Sequence, residues 1–530
     1  MRTILIFFTL LMTYSSVWSQ SFNWVKSEAI KYTLNPSYPE FPVAYDSVGL
    51  RVVTARIDSV AQIYGQAIYG PCFIESRDTS GQLIWQIAVG DMASINRVVT
   101  DLNGNIYFGG SFQNTLHLGA NDTLSFINNT ISGFNTYIIK LDNQGNVIWK
   151  KNLASAWVNY ERIEALAVSP SNVCWYAITD FFDAHVISLD AFGNDQTDHH
   201  IMNGKTLGNI SFDPWGGMFI SGGAENGNFI MDADTFHVPH QYNMFIARYD
   251  PQGQPSWAKF AADITFQRPV VVADNNGSAF FFGTRYDTTS FDNMFFTNPL
   301  PFGDFFGFKT DTSGTLQWKL QQPPLLIGPF GGFEPASNVS VGSDAQGNYY
   351  LAGIHHGTVD WGNGLVTSTS AFNDRKISVA CINAAGIAQW VKIGGSNLSN
   401  FTHAIAVSNE GDCYFTGNFM DSASFDSIVI TTQNLNNFCV GKIGPAGFTG
   451  VDEMAVEEFF LYPNPSQGDL NLSESLLGAE MRIYDIAGRI IYRDLNLNPS
   501  GLNFSSLPAG IYTIQLTFKE NNINKKWIKY

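Results

Sequence analysis

The residues that decide the fold are INRVVTDLNGNIYFGGSF (95–112) and, after a short insert, NTYIIKLDNQGNVIWKKNL (135–153). They read as four short strands joined by tight turns. Apolar and polar residues alternate through Val98, Ile106, Phe108, Ile138 and Ile148, and a period of two predicts half-buried sheet. The turns are Asp101-Leu-Asn-Gly104 and Asp142-Asn-Gln-Gly145. In each, the Asp carboxylate caps the turn amides and the Gly takes the positive φ that returns the chain to the next strand. One four-stranded sheet is too small to hide both its faces, so copies of it must stack.

The landmarks recur along the chain. Tryptophan strands follow a Gly-ending turn at Trp85, Trp149, Trp257, Trp318 and Trp390, and second strands run into Gly at Gly222, Gly283, Gly353 and Gly417, after a small residue in all but the second. First strands are expected near Arg51, Ile95, Ile163, Leu207, Arg268, Asn338 and His403, with the copy at residues 163–201 short and lacking its tryptophan. A hairpin inserted between strands two and three, with turns at Gly119, Asp232, Asp292, Gly362 and Asp426, lengthens each copy and is expected to decorate one rim. Ser21 to Ala29 is a tryptophan strand without a repeat before it, and the last repeat, through Phe438 and Lys442, has no tryptophan strand after it. The N-terminal strand is therefore expected to fill that vacancy and close a ring with no bare sheet edge.

At 530 residues the chain exceeds what one core usually supports, and 45% hydrophobic against 14% charged content suits an all-β protein rich in turns. A formal charge of −17 repels a phosphate backbone, so no nucleic-acid partner is expected. Cys72, Cys174, Cys381, Cys413 and Cys439 stand singly, without a CxxC pair, and read as small buried hydrophobes. Residues 1–19 carry Arg2, an apolar run from Ile4 to Met12 and a small or polar end, which reads as a secretory signal peptide. Nothing later is apolar for long enough to span a membrane.

The tryptophan strand, the Asp-x-x-Gly turn and the small-Gly pair together resemble the β-propeller repeats of secreted bacterial proteins. The fold expected is a seven-bladed β-propeller over residues 22–449, latched by residues 22–28, then a linker at 450–459. From residue 460 to 530 the texture changes to a small β-sandwich of Ig-like type. There Tyr462-Pro463-Asn464-Pro465, the segment ending Gly488-Arg489, the Gly510-Ile-Tyr512 segment and a lysine-rich end closely resemble the type A C-terminal sorting domain of the type IX secretion pathway of Bacteroidetes. That resemblance implies export to the periplasm, recognition by the outer-membrane type IX machinery, and a secreted or surface-attached product.

No catalytic, cofactor-binding or metal site stands out by spacing. Asp232, Asp234, His237 and His240 are the nearest to a metal cluster, yet Asp232 occupies a hairpin-turn slot that structure alone explains. The pairs His199-His200 and His355-His356 would point to opposite strand faces. Asp101 to Asn105 lacks the distal carboxylate of a calcium loop, and Asn203-Gly-Lys-Thr206 lacks the glycine and helix of a phosphate loop. Phe181, Phe182, Trp215, Phe305 and Phe306 are weighed as a carbohydrate platform against packing between sheets, and packing is the expectation. Three functions follow: a non-catalytic binder of a glycan or protein, an enzyme on polysaccharide using carboxylates in the central funnel, or a passive surface spacer. The reading leans away from an enzyme.

Overall fold

In this computed structural model the described residues are 20–32, 40–63, 66–90, 92–119, 122–127, 133–155, 162–180, 182–262, 268–297, 304–323, 331–371, 373–432, 436–445, 461–462, 466–472, 478–485, 488–498, 501–518 and 521–530. The expected signal peptide, the linker and Pro463 to Pro465 lie outside them. Among the described residues the chain is all-β, with no α-helix and one short 3-10 turn, Leu153–Ser155. It divides into two compact units, Met1–Ala446 and Gly447–Tyr530.

Four-stranded antiparallel meanders recur through the first unit. Meander one runs Val43–Asp46, Arg51–Ile57, Cys72–Asp78, Leu83–Gly90, and meander two Ala93–Thr100, Ile106–Phe112, Asn135–Leu141, Val147–Asn152. Meander three is Ala165–Val168, Cys174–Thr179, Asp183–Leu189, Asp195–Met202, and meander four Gly204–Phe212, Met218–Met231, Asp234–Tyr249, Pro255–Ala262. Meander five is Val270–Ala273, Ala279–Arg285, Asp304–Thr310, Leu316–Gln321. Meander six begins with Gly332–Pro335 and Val341–Ser343, two pieces of one interrupted strand, and continues Tyr349–His356, Lys376–Ile382, Ala388–Ser396. Meander seven is Asn400–Val407, Cys413–Phe419 and Asn437–Pro445, and its outer strand is Gln20–Ala29.

The period of two overstates exposure. Ile106–Phe112 and Asn135–Leu141 are buried on both faces, and only outer strands such as Leu83–Gly90 show a wet side. Each inner sheet is covered by a neighbour on both sides, so both parities become core. The turns follow the expected chemistry. Asp101 Oδ1 accepts from the amides of Asn103 and Asn105, both at 2.9 Å, its Oδ2 accepts from Asn105 Nδ2 at 2.8 Å, and Gly104 sits at φ +77°. Asp142 repeats the pattern at an exposed turn. Asp101 is buried and also faces Lys140 Nζ at 3.7 Å. Asp101→Ala, which strands that cation and those amides, is therefore expected to lower stability by about 2–4 kcal/mol and clearly more than Asp142→Ala, as read from urea midpoints.

The tryptophans tie one meander to the next. Trp85 Nε1 donates to Asn143 O at 3.3 Å, Trp149 to Ala191 at 3.1 Å, Trp257 to Thr312 at 3.0 Å and Trp318 to Ala384 at 3.0 Å. In each case the acceptor is the second residue of the next meander's outer turn. The turn glycine lies flat on the indole: a Cβ at Gly193 would stand 2.8 Å from Trp149. Meander three has Thr197 at the tryptophan position. His199, two residues on and so on the same face, takes over: its ring lies 4.3 Å from Tyr249 of meander four and Nδ1 bonds Asp232 Oδ2 at 2.9 Å.

The N-terminal strand pairs antiparallel with Asn437–Pro445, with Trp24 opposite Lys442 and Glu28 opposite Phe438. Trp24 Nε1 then donates to Thr79 O of meander one at 2.9 Å, the same bond the other tryptophans make. First strands neighbour one another in order from meander one to seven, and Val43–Asp46 in turn neighbours Asn400–Val407. Tyr45 stacks on Tyr414 across that last junction, rings 5.1 Å apart. One expectation is corrected here: Arg51–Ile57 is the second strand of its meander, paired on both sides, and Val43–Asp46 is the first. The short strand was hidden because Phe41-Pro42 precedes it and only four residues precede its own turn, where Asp46 Oδ1 takes the Val48 amide at 2.9 Å.

The inserted hairpins do more than decorate a rim. Four of them reach back onto the outer strand of the preceding meander: Met231 pairs with Ile201, Ser424 with Gly395, Gly119 N bonds Ala88 O at 3.0 Å, and Thr289 Oγ1 bonds Ala262 O at 2.9 Å. Meander one's insert pairs with Lys31–Tyr32, the continuation of the N-terminal strand. Exposed outer edges are thereby blunted against strand addition from other chains. The turn slots hold positive φ at Gly119, Asp232, Asp292 and Asp426, and the aspartates bond back to His199, Lys259 and Lys392.

The second unit holds two antiparallel sheets, Leu461–Tyr462 with Asp469–Leu472 and Leu502–Asn503, and Ile490–Asp494, Glu480–Tyr484, Gly510–Phe518, Asn521–Lys529. They share a core of Leu470, Met481, Ile483, Ile514, Leu516 and Trp527. Trp527 Nε1 donates to Ser466 Oγ at 2.9 Å, so one buried indole ties the strand Asn521–Lys529 to the segment leading into Asp469–Leu472.

Candidate functional site

Alternation of strand direction puts every Asp-x-x-Gly turn at one end of the meanders and the heads of the first strands at the other. At that second end, charged side chains from four separate repeats converge. Arg97 Nη1 stands 3.2 Å from Glu40 Oε2 and Arg97 Nε donates to Glu164 O at 2.8 Å. Arg162 Nη2 reaches both Glu40 oxygens at 2.9 Å, and Arg268 Nη2 bonds Glu164 Oε1 at 3.1 Å. Three guanidinium groups thus face two carboxylates in a chain of strongly acidic total charge. Arg97 and Glu164 are buried, whereas the side chains of Arg162 and Arg268 are 28% and 39% exposed, so the open side of the cluster is its basic side. Asn338 Nδ2 bonds Asn96 O at 2.6 Å, linking meander six to meander two across the middle.

Beside Arg268 lies a pocket of about 160 Å3 between the heads of meanders five and six. Pro269, Val270, Phe282, Pro335 and Ala336 give it apolar walls, and Ser340, which also lines it, is fully buried with a hydroxyl that has no hydrogen-bond partner among the described residues.

The protonation states set what the cluster can do. Burial pushes the Glu40 carboxyl up, but the charges of Arg97 and Arg162, with Arg268 behind them, outweigh it and hold the group below its ordinary value. A general acid needs the opposite. The buried histidines are no better placed. Burial pushes His403 and His355 down to about 4, and His403 spends both ring nitrogens on Asn418 at 2.7 Å and Ser337 at 3.0 Å. Both are neutral bases whose folded value lies below the ordinary 6.5, so the unfolded chain takes up protons first as pH falls from there to 4. Stability is therefore whole above that window and is expected to drop within it, by at most about 1.4 kcal/mol per pH unit for each histidine. Urea midpoints at half-unit intervals check this, and His403→Gln should flatten part of the slope.

The residues singled out in the sequence are placed as follows. Asp232, Asp234, His237 and His240 are all exposed; Asp232 joins His199, and Asp234 and His237 sit on one strand at opposite parity. Among the described residues no three metal-ligating side chains stand together. His199 is buried while its neighbour His200 turns outward to Asp183 and stacks on His185 at 4.6 Å, and His355 and His356 are both covered. Phe305 and Phe306 are core residues, Phe182 and Trp215 are exposed at 67% and 62%, and Phe181 lies outside the described residues. All five cysteines are buried free thiols, with Cys72 pushed up to about 12 by burial. Of the sorting residues, Gly488 sits at φ +76° and Arg489 grips Asp485 at 2.7 Å, closing a turn, while Tyr512 donates to Pro508 O at 2.7 Å and lies 5.2 Å from Trp527. Gly510 opens the strand carrying Tyr512, and Tyr462 belongs to the short strand opposite Asn471. The charged cluster itself was missed. Its one sequence signal was a polar residue at the head of successive repeats, such as Arg268, Asn338 and His403, which served only to count them.

Residues 460–530 match the family described as the secretion system C-terminal sorting domain. The protein is accordingly secreted through the type IX pathway to the cell surface or the extracellular space, and its tail interacts with the type IX machinery. No described helix is long and apolar enough to cross a membrane. An endo-acting ulvan lyase of Formosa agariphila is 24% identical over 251 residues, a match covering 44% of this chain and 44% of that protein, so the chain spans under half the length of this relative. Among solved structures, PorZ, an essential surface component of the type IX secretion system of Porphyromonas gingivalis, is 10% identical, covers 92% of this chain and 81% of its own, and superposes at a TM-score of 0.25. A protein from Lactobacillus plantarum is 10% identical over 69% of this chain and 94% of its own at a TM-score of 0.36.

Proposed function

We propose that this type IX cargo is a seven-bladed β-propeller over residues 22–449, latched by residues 22–28, with a signal peptide at 1–19, a linker at 450–459 and an Ig-like sorting sandwich at 460–530. Outside the cell the propeller binds a glycan or a protein and does not transform it. The unbroken circuit of neighbouring first strands supports the ring. The observation that carries the binding role is the convergence of Glu40, Arg97, Arg162, Glu164 and Arg268 from separate repeats at one end, with its basic side open. Such a cluster is costly to bury and adds little to stability compared with apolar packing, so its retention points to recognition. In the tail, Tyr462, Pro463, Asn464, Pro465, Gly488, Arg489, Gly510 and Tyr512 form the motif by which the export machinery recognises it.

A glycan array and an overlay of surface proteins, both probed with the full mature chain, test the binding role. A ligand lost on the double substitution Arg162→Gln, Arg268→Gln supports it; no ligand on either screen overturns it and leaves the spacer reading. The similarity to an endo-acting ulvan lyase favours a second reading, cleavage of polysaccharide. Shortening of ulvan chains on incubation with the protein, followed by size-exclusion chromatography, would replace the first reading with this one. The depressed Glu40 carboxyl and the buried histidines argue for the first.

A further inference from the structure

We propose that the pocket between the heads of meanders five and six takes one anionic pyranose unit of a glycan, a six-membered ring carrying a carboxylate or a sulfate, with Arg268 as its charge partner and Ser340 as its hydroxyl partner. This deepens the binding reading above and rests on it.

Size comes first. The pocket measures about 160 Å3, and a cavity of about 150 Å3 admits benzene, so one six-membered ring fits and two do not. Its walls of Pro269, Val270 and Phe282 suit the C–H face of a sugar, but the rim is polar, which a hydrocarbon would not use. Arg268 commits one nitrogen to Glu164 and keeps a side chain 39% exposed, leaving further donors of a planar fork that fits carboxylate or sulfate oxygens. Among the described residues no carboxylate lines the pocket, so none of them offers a cation a partner there. Ser340 is the independent observation: it lines the pocket, is 0% exposed, and its hydroxyl has no partner among the described residues, an arrangement that is costly unless a ligand group meets it.

Titration calorimetry of the full mature chain with glucuronate, glucose 6-sulfate and glucose tests the assignment. Heat from glucuronate, from glucose 6-sulfate or from both, with at least tenfold weaker binding of glucose, is expected, and which of the two anions wins identifies the source of the charge. Arg268→Gln should weaken the anionic ligand about 10- to 100-fold, the scale of a lost hydrogen bond to a charged group. Ser340→Ala should weaken it about 2- to 10-fold while leaving the ligand-free melting temperature unchanged or higher, because it removes an unmet buried hydroxyl. Equal binding of glucose, or anion binding untouched by both substitutions, overturns the assignment. If glycan-array signals persist in both variants, the pocket falls and the binding reading stands. If the sugars give no signal with the native chain the pocket falls, and if the array and the overlay of surface proteins give none either, both fall.

Discussion

A chain lacking Gln20–Ala29 is expected to lose cooperative folding and to precipitate, because the deletion uncovers the whole edge of Asn437–Pro445. A bare edge of nine residues is a template for pairing with other chains. The same deletion removes Phe22, whose ring packs 5.7 Å from Phe415 and 5.2 Å from Phe425, and the Trp24 bond to Thr79 that joins the last meander to the first. Phe22→Ala alone should cost about 3–5 kcal/mol, the usual range for emptying a buried phenylalanine site. Native-state hydrogen exchange separates closure from ordinary packing. Trp24→Ala should raise exchange at residues 437–445 and in meander one together, whereas Trp318→Ala, which breaks an equivalent bond inside the continuous chain, should loosen only its own junction. Equal local effects from both would mean the ends are not what holds the circuit shut.

Deletion of residues 461–530 is expected to abolish appearance of the protein at the cell surface and in the medium, with at least a tenfold rise in the cell-associated soluble fraction. The tail is a compact unit with its own core, so a single core change should act like the deletion. Trp527→Ala empties a fully buried site, breaks the bond to Ser466 and should cost about 3–5 kcal/mol, comparable to the whole stability of so small a domain. Immunoblots of cell fractions and culture medium read both. Normal export of the truncated chain would remove the tail from the pathway; normal export of Trp527→Ala with loss in the truncation would mean that a linear segment, not the folded sandwich, is recognised.

Two failures of the sequence reading share a cause. Val43–Asp46 was overlooked because a four-residue strand next to Pro42 carries too few alternations to declare itself, and only pairing with Arg51–Ile57 makes it a strand. The half-buried sheet was wrong for Ile106–Phe112 because alternation records chemistry along one strand, while burial on the second face depends on the neighbouring sheet. His199 shows the same limit in miniature: nothing in residues 195–202 says that an imidazole will stand in for an indole until Tyr249 and Asp232 are beside it.

Local chemistry was written in the chain and could be read from it. The Asp-to-amide turns at Asp101 and Asp142, the positive φ at Gly104 and the hairpin aspartates, the tryptophan strand without a repeat before it and the text of the sorting tail all depend on residues within a few positions of one another. The charged cluster and its pocket depend on none of that. Glu40, Arg97, Glu164, Arg268 and Ser340 are separated by up to 300 residues and become one site only when the circuit of first strands brings their heads together. Electrostatic attraction and excluded volume act over a few ångströms of space, and no spacing along the chain encodes which heads will meet.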